Sequence, residues 1–205
     1  MADVWSKEYN TDILIVPEDD LLKDFEGGVT HGECVRLAYL ASLVKSDLVI
    51  VEIGSFRGKS ACFLGAGSRY GNGAKVYAID PWDINIPYSG ATKEYWNISN
   101  KEEFNRHVEQ AKLGNIVTGI KNFSVEEAKK WNKLIGLLHI DGNHSDEGVK
   151  SDYNAWFKHV VKGGTIAFHD YSLSPVKKFV ENVVKPSGLL VGWNLYGRLI
   201  TATKK

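Results

Sequence analysis

The fold class this sequence predicts is a doubly wound α/β sandwich, with a mostly parallel seven-stranded sheet and an antiparallel last strand. Three observations point to it. Leu48-Val49-Ile50-Val51 is an apolar run without alternation, the pattern of a strand buried on both faces, and such strands belong to parallel sheets covered by helices. A glycine-flanked loop, Gly54-Ser55-Phe56-Arg57-Gly58, then leads straight into a helical pattern at Ser60. Strand and helix segments alternate from there to the carboxyl end, the signature of βαβ units.

The segments follow in order. Residues 1–30 read as an irregular arm, with Trp5 and Tyr9 either covering a pocket or packing on the core. Residues 31–205 read as one domain, a size that buries a single good core. Val35, Leu37, Ala38, Leu40, Ala41 and Val44 recur at helical spacing and predict a helix over 33–44. The first strand spans about 48–53, a helix reaches about Tyr70, and a turn at Gly71-Asn72-Gly73 precedes a second strand over 74–79. Residues 81–100 form a long connection carrying Trp82, Pro87, Tyr88, Tyr95 and Trp96, which suits a substrate-facing loop or a self-packed one. A helix over 101–113, a third strand over 116–119 and a helix over 125–131 come next. The fourth strand is 134–140, followed by a helix over 146–161, a fifth strand over 165–168 and a helix over 175–184. Strands at 188–191 and 193–202 close the chain as an antiparallel pair, with the last strand at the sheet edge.

Lys plus Arg and Asp plus Glu both number 25 among 205 residues. Net charge is therefore zero, and no basic field argues for nucleic acid or an anionic membrane as partner. The chain shows no stretch of about 18 apolar residues and starts polar at Met1–Lys7, so the expectation is a cytoplasmic protein without a membrane partner. Cys34 and Cys62 lack a C-x-x-C pattern and read as small core residues.

The chemistry gathers at the ends of the strands. Open α/β sheets bind ligands at their carboxyl edge. There Gly54 and Gly58 allow close backbone approach and the following helix offers its positive end, a cradle for a nucleotide-type ligand. The G-x-x-x-G spacing matches neither the dinucleotide nor the Walker pattern. Glu52 ends the first strand, and Asp80 ends the second, where an acid can accept from ribose hydroxyls. Asp141 and Asp170 end the fourth and fifth. Two carboxylates with Asn143 or His169 nearby suit Mg²⁺ or Mn²⁺ better than structural zinc, and His144 is placed to accept a proton. His169 either touches metal or substrate or orients Asp170. His139 reads as a core histidine; His31, His107 and His159 have no constellation around them, and Asp146 and Glu147 serve the start of a helix.

Four stretches carry a resemblance. They are Glu52–Ser60, Ala78–Trp82, His139–Val149 with its Asp141-Gly142-Asn143-His144 turn, and Gly163–Tyr171 with His169-Asp170. Over about residues 35–200 the chain resembles a class I S-adenosylmethionine-dependent methyltransferase with a Rossmann-like fold. More narrowly, it is similar to the macrocin-type sugar O-methyltransferases and proteins labelled cephalosporin hydroxylase. The resemblance implies that Gly54, Ser55 and Gly58 approach the methionine portion, with Glu52 beneath, and that Asp80 holds the ribose. It places Phe123 and Ser124 by the adenine, assigns Asp141, Asp170 and His169 to a metal, and makes His144 the general base beside Asp141. Its acceptor would be a small-molecule or sugar hydroxyl. A nicotinamide-dependent oxidoreductase and a cofactor-binding protein without turnover are the alternatives; a nucleic-acid methyltransferase lacks its Asn-Pro-Pro-Tyr-type tetrad here. A homo-oligomer stays open.

Overall fold

The computed structural model describes residues 16–82 and 100–205. Trp5, Tyr9, Pro87, Tyr88, Tyr95 and Trp96 lie outside the described residues. The elements run α1 (Asp19–Leu22), α2 (His31–Ser42), β1 (Val49–Ile53), α3 (Lys59–Tyr70), β2 (Lys75–Asp80), α4 (Asn100–Gln110) and β3 (Val117–Lys121). They continue with α5 (Ser124–Lys130), β4 (Ile135–Ile140), α6 (Asp146–Trp156), β5 (Val160–Phe168), α7 (Ser174–Phe179), β6 (Leu190–Tyr196) and β7 (Leu199–Lys204).

The seven strands lie in the order β3-β2-β1-β4-β5-β7-β6. β1 to β5 pair in parallel, while β7 runs antiparallel to both β5 and β6. The doubly wound sheet with an antiparallel last strand is therefore as the sequence implies. Its edge is β6, however, because β7 inserts between β5 and β6.

Strand alternation divides the core into two layers. Ile50 and Leu137 face a layer with Leu37, Cys62 and Phe63 from α2 and α3. Val51, Ile53, Leu138 and Ile140 face Tyr153, Trp156 and Phe179 from α6 and α7. Both cysteines are buried and free. Glu52 and His139 are register partners on the α2/α3 side. Both are fully buried, with His139 Nδ1 3.2 Å from Glu52 Oε1, so His139 is a core histidine with an acidic partner.

Several boundaries differ from the sequence reading. α2 starts at His31 because Thr30 and Glu33 form a capping box: the Glu33 amide donates to the Thr30 hydroxyl, and the Thr30 amide donates to the Glu33 carboxylate. Residues 16–30 are packed, since Val16, Leu22, Phe25 and Val29 belong to the α2/α3 core layer. α6 stops at Trp156, and 157–159 form a 3₁₀ turn that releases Val160 to pair with Ile135. The final hairpin turns at Gly197-Arg198, and Gly192 marks an irregularity within β6.

Candidate active site

A cavity of about 610 Å³ opens at the carboxyl ends of β1, β2, β4 and β5. Gly54 sits on its wall with φ +82°, and a Cβ there would lie 2.1 Å from the Asp141 carbonyl oxygen. Only glycine lets the β1 and β4 ends approach this closely. The next turns are held by Asp80, whose Oδ2 accepts from the amides of Ser55 (3.0 Å) and Phe56 (2.9 Å) and whose Oδ1 accepts from the Trp82 amide (2.7 Å). Trp82 Nε1 donates back to the Phe56 carbonyl at 2.7 Å. Burial raises the Asp80 carboxyl, and those three amides oppose the rise. Arg57, buried in the same loop, pairs with Glu26 and donates to Asn100 Oδ1 at 3.1 Å, so segments on either side of the loop clamp it.

The other half of the site is built from ionisable side chains. Asp141 Oδ1 faces His169 Nδ1 at 2.9 Å and His144 Nε2 at 3.3 Å, and His144 Nε2 also faces Asp170 Oδ2 at 3.2 Å. Asp170, with φ +51°, takes an ion pair from Arg198, which donates to the Gly28 carbonyl at 2.8 Å. Behind them, Glu33 Oε2 lies 3.2 Å from His169 Nε2, and Glu33 Oε1 accepts from the Arg198 amide at 2.6 Å.

The charges follow from this geometry. Burial opposes a charge on His169, but the Asp141 charge and hydrogen bonds to Asp141 and Glu33 lift its pKa to about 10. Burial would raise Glu33, yet His169, the Arg198 amide and Thr30 bring it down to about 2. Burial likewise disfavours the Asp141 charge, and the charge of His169 with hydrogen bonds from His144 and His169 holds it well below the usual carboxylate range. In His144, burial is outweighed by the bond to Asp141 and the charges of Asp141 and Asp170, so its pKa is raised.

Of the residues singled out from sequence, Gly54, Asp80, Phe123, Ser124, Asp141, His144, His169 and Asp170 line the cavity. Glu52, Ser55 and Gly58 do not form that wall: Glu52 turns into the core, Ser55 is buried with its hydroxyl unpartnered, and Gly58 starts α3 with φ +85°. Asp141, His144 and Asp170 each offer one ligand atom, all within 4.8 Å of one another, which fits a divalent cation. His169 is not one of those three groups: its Nδ1 is turned to Asp141 and its Nε2 to Glu33. Sequence reasoning missed Glu33, Arg198 and Asp152; the Thr30-x-x-Glu33 box was the one local signal.

Comparison with known proteins agrees with this architecture. A family model described as "Methyltransferase domain" matches residues 51–171. An uncharacterized protein of Acanthamoeba polyphaga mimivirus is 35% identical over 132 residues, 62% of this chain and 53% of that protein. The chain thus spans about half the length of that curated relative. Among solved structures, the O-methyltransferase NovP superposes with a TM-score of 0.66 at 14% identity, covering 95% of this chain and 92% of that one. An rRNA methylase from Streptococcus thermophilus gives 0.61 at 13%, covering 87% and 99%. At such identities these two likenesses are of fold. On the family match, which takes in the glycine loop, Asp80, the Asp141–His144 turn and the His169-Asp170 pair, the chain belongs to the methyltransferase-domain family, the class I S-adenosylmethionine-dependent methyltransferases.

Proposed function

We propose that the chain is an O-methyltransferase that carries a methyl group from S-adenosylmethionine to a hydroxyl of a small molecule or sugar. The observation that carries this reading is the convergence of His144 with Asp141 and Asp170 on the cavity that the glycine loop also lines. The cofactor, when bound, supplies an electrophilic methyl on a sulfonium. Gly54 leaves room for its approach, and Asp80, fixed by three amides, keeps the loop in shape and turns its remaining acceptor capacity to the ribose. Phe123 and Ser124 flank the base.

His144 takes the proton of the acceptor hydroxyl as the carbon–oxygen bond forms and the carbon–sulfur bond breaks. Asp141 and Asp170 orient the imidazole and stabilise its protonated form. His169, held between Glu33 and Asp141, is a positioning residue. A ligating nitrogen cannot also accept a proton, so we assign Mg²⁺ or Mn²⁺ to the carboxylates of Asp141 and Asp170, where the cation would make an acceptor hydroxyl more acidic. Among the described residues no helix is long and apolar enough to cross a membrane.

The test is methyl transfer to a panel of sugars and phenols, followed by mass spectrometry, for the natural chain and for His144→Ala. The variant should bind S-adenosylhomocysteine normally while transfer falls by about 10² to 10⁴. Full-rate transfer by His144→Ala would remove His144 from the role of base.

A further inference from the structure

Two bulky residues beside the cavity hold a backbone conformation that favours glycine. Phe56 has φ +45° and Trp82 has φ +41°, values that are strained for a residue with a large side chain. They stand in different turns, one after β1 and one after β2, and a closed ring of hydrogen bonds joins them. Asp80 accepts from both, Oδ2 from the Phe56 amide at 2.9 Å and Oδ1 from the Trp82 amide at 2.7 Å. Trp82 Nε1 completes the ring by donating to the Phe56 carbonyl at 2.7 Å.

The indole is itself held in place. It is 8% exposed, packs against Phe104 of α4 with ring centroids 5.0 Å apart, and has the Lys101 ammonium 4.0 Å from its centroid. Phe56 and Asp80 line the cavity, whereas Trp82 does not, so the indole acts on a ligand only through them. Resting on the functional reading above, we propose that Trp82 is a positioning residue for the cofactor: its N–H keeps both turns in their strained form, so that Asp80 and the glycine loop meet the cofactor already in place. Without that N–H the turns can relax, and the free protein recovers in released strain much of what it loses in the hydrogen bond. The cost then falls on binding, because the cofactor must restore the turns.

The test replaces Trp82 with β-(3-benzothienyl)alanine, which keeps the size of the ring and puts sulfur where the N–H was. Calorimetric titration with S-adenosylhomocysteine is read together with urea unfolding and amide hydrogen exchange of the free protein. The isosteric variant should unfold close to the natural chain, bind S-adenosylhomocysteine about 10-fold more weakly, and exchange the Ser55 and Phe56 amides faster. Trp82→Phe, which also lacks the donor, should show the same loss of affinity. Unchanged affinity in both variants, with or without a loss of stability, overturns the role of Trp82 and leaves the functional reading standing; so does weaker binding with the Ser55 and Phe56 amides as protected as before. A natural chain that does not bind S-adenosylhomocysteine overturns both.

Discussion

The two halves of the site are held in different ways. On the β1–β2 side, Gly54 fits because it lacks a side chain, and the Asp80 carboxylate is occupied by three backbone amides. On the β4–β5 side, Asp141, His144, His169 and Asp170 hold one another, with Glu33 and Arg198 behind them. The first half sets a shape and the second sets a charge distribution. Substitutions in the first should therefore cost stability and cofactor binding, whereas changes in the second should show up in pH dependence and rate.

Gly54→Ala should have the largest effect. The new Cβ meets the Asp141 carbonyl and the backbone has φ +82°, so the loss should be about 4 kcal/mol in urea unfolding. A loss within 1 kcal/mol would mean that the β1 and β4 ends separate at little cost. Asp80→Asn should cost about 3 kcal/mol, because one carboxamide edge donates and cannot accept from an amide. It should also weaken S-adenosylhomocysteine; unchanged binding would remove the ribose contact from the account.

The smallest effect is the pH dependence of the charged half, measured as melting temperature in a chelating buffer. His169 rises from an ordinary 6.5 to about 10, so its contribution is complete below 6.5 and is lost as pH rises through 10. Glu33 falls from 4.5 to about 2, so its contribution is complete above 4.5 and is lost as pH falls through 2. Stability should then be highest between about pH 4.5 and 6.5 and fall by on the order of 2 kcal/mol from pH 7 to 9. Glu33→Gln should flatten that alkaline limb. An identical slope in the variant would show that the two groups are not coupled.

The same contrast explains what was legible in the sequence. Glycines and acids at the ends of apolar runs are local signals, so the strands, the loop after β1 and the residues at four strand ends could be found by reading along the chain. Glu33 reaches Arg198 across 165 positions and His169 across 136, distances at which no periodicity operates. Asp152 stands in mid-helix with no local signal around it, and only the fold turns it toward Ser124 and the cavity. The last hairpin was split at the wrong glycine because both Gly192 (φ +65°) and Gly197 (φ +59°) need positive φ. A glycine serves an irregularity in a strand as well as a turn.

The central claim, that this cavity takes an adenosyl cofactor, is tested most directly by a thermal-shift titration with S-adenosylhomocysteine and NADH. At about 100 times its dissociation constant a ligand adds about 2.7 kcal/mol, which for a chain of this length raises the melting temperature by about 5 to 10 °C. The account predicts that shift with S-adenosylhomocysteine and none with NADH. A shift with NADH alone would contradict it and return the site to nicotinamide chemistry.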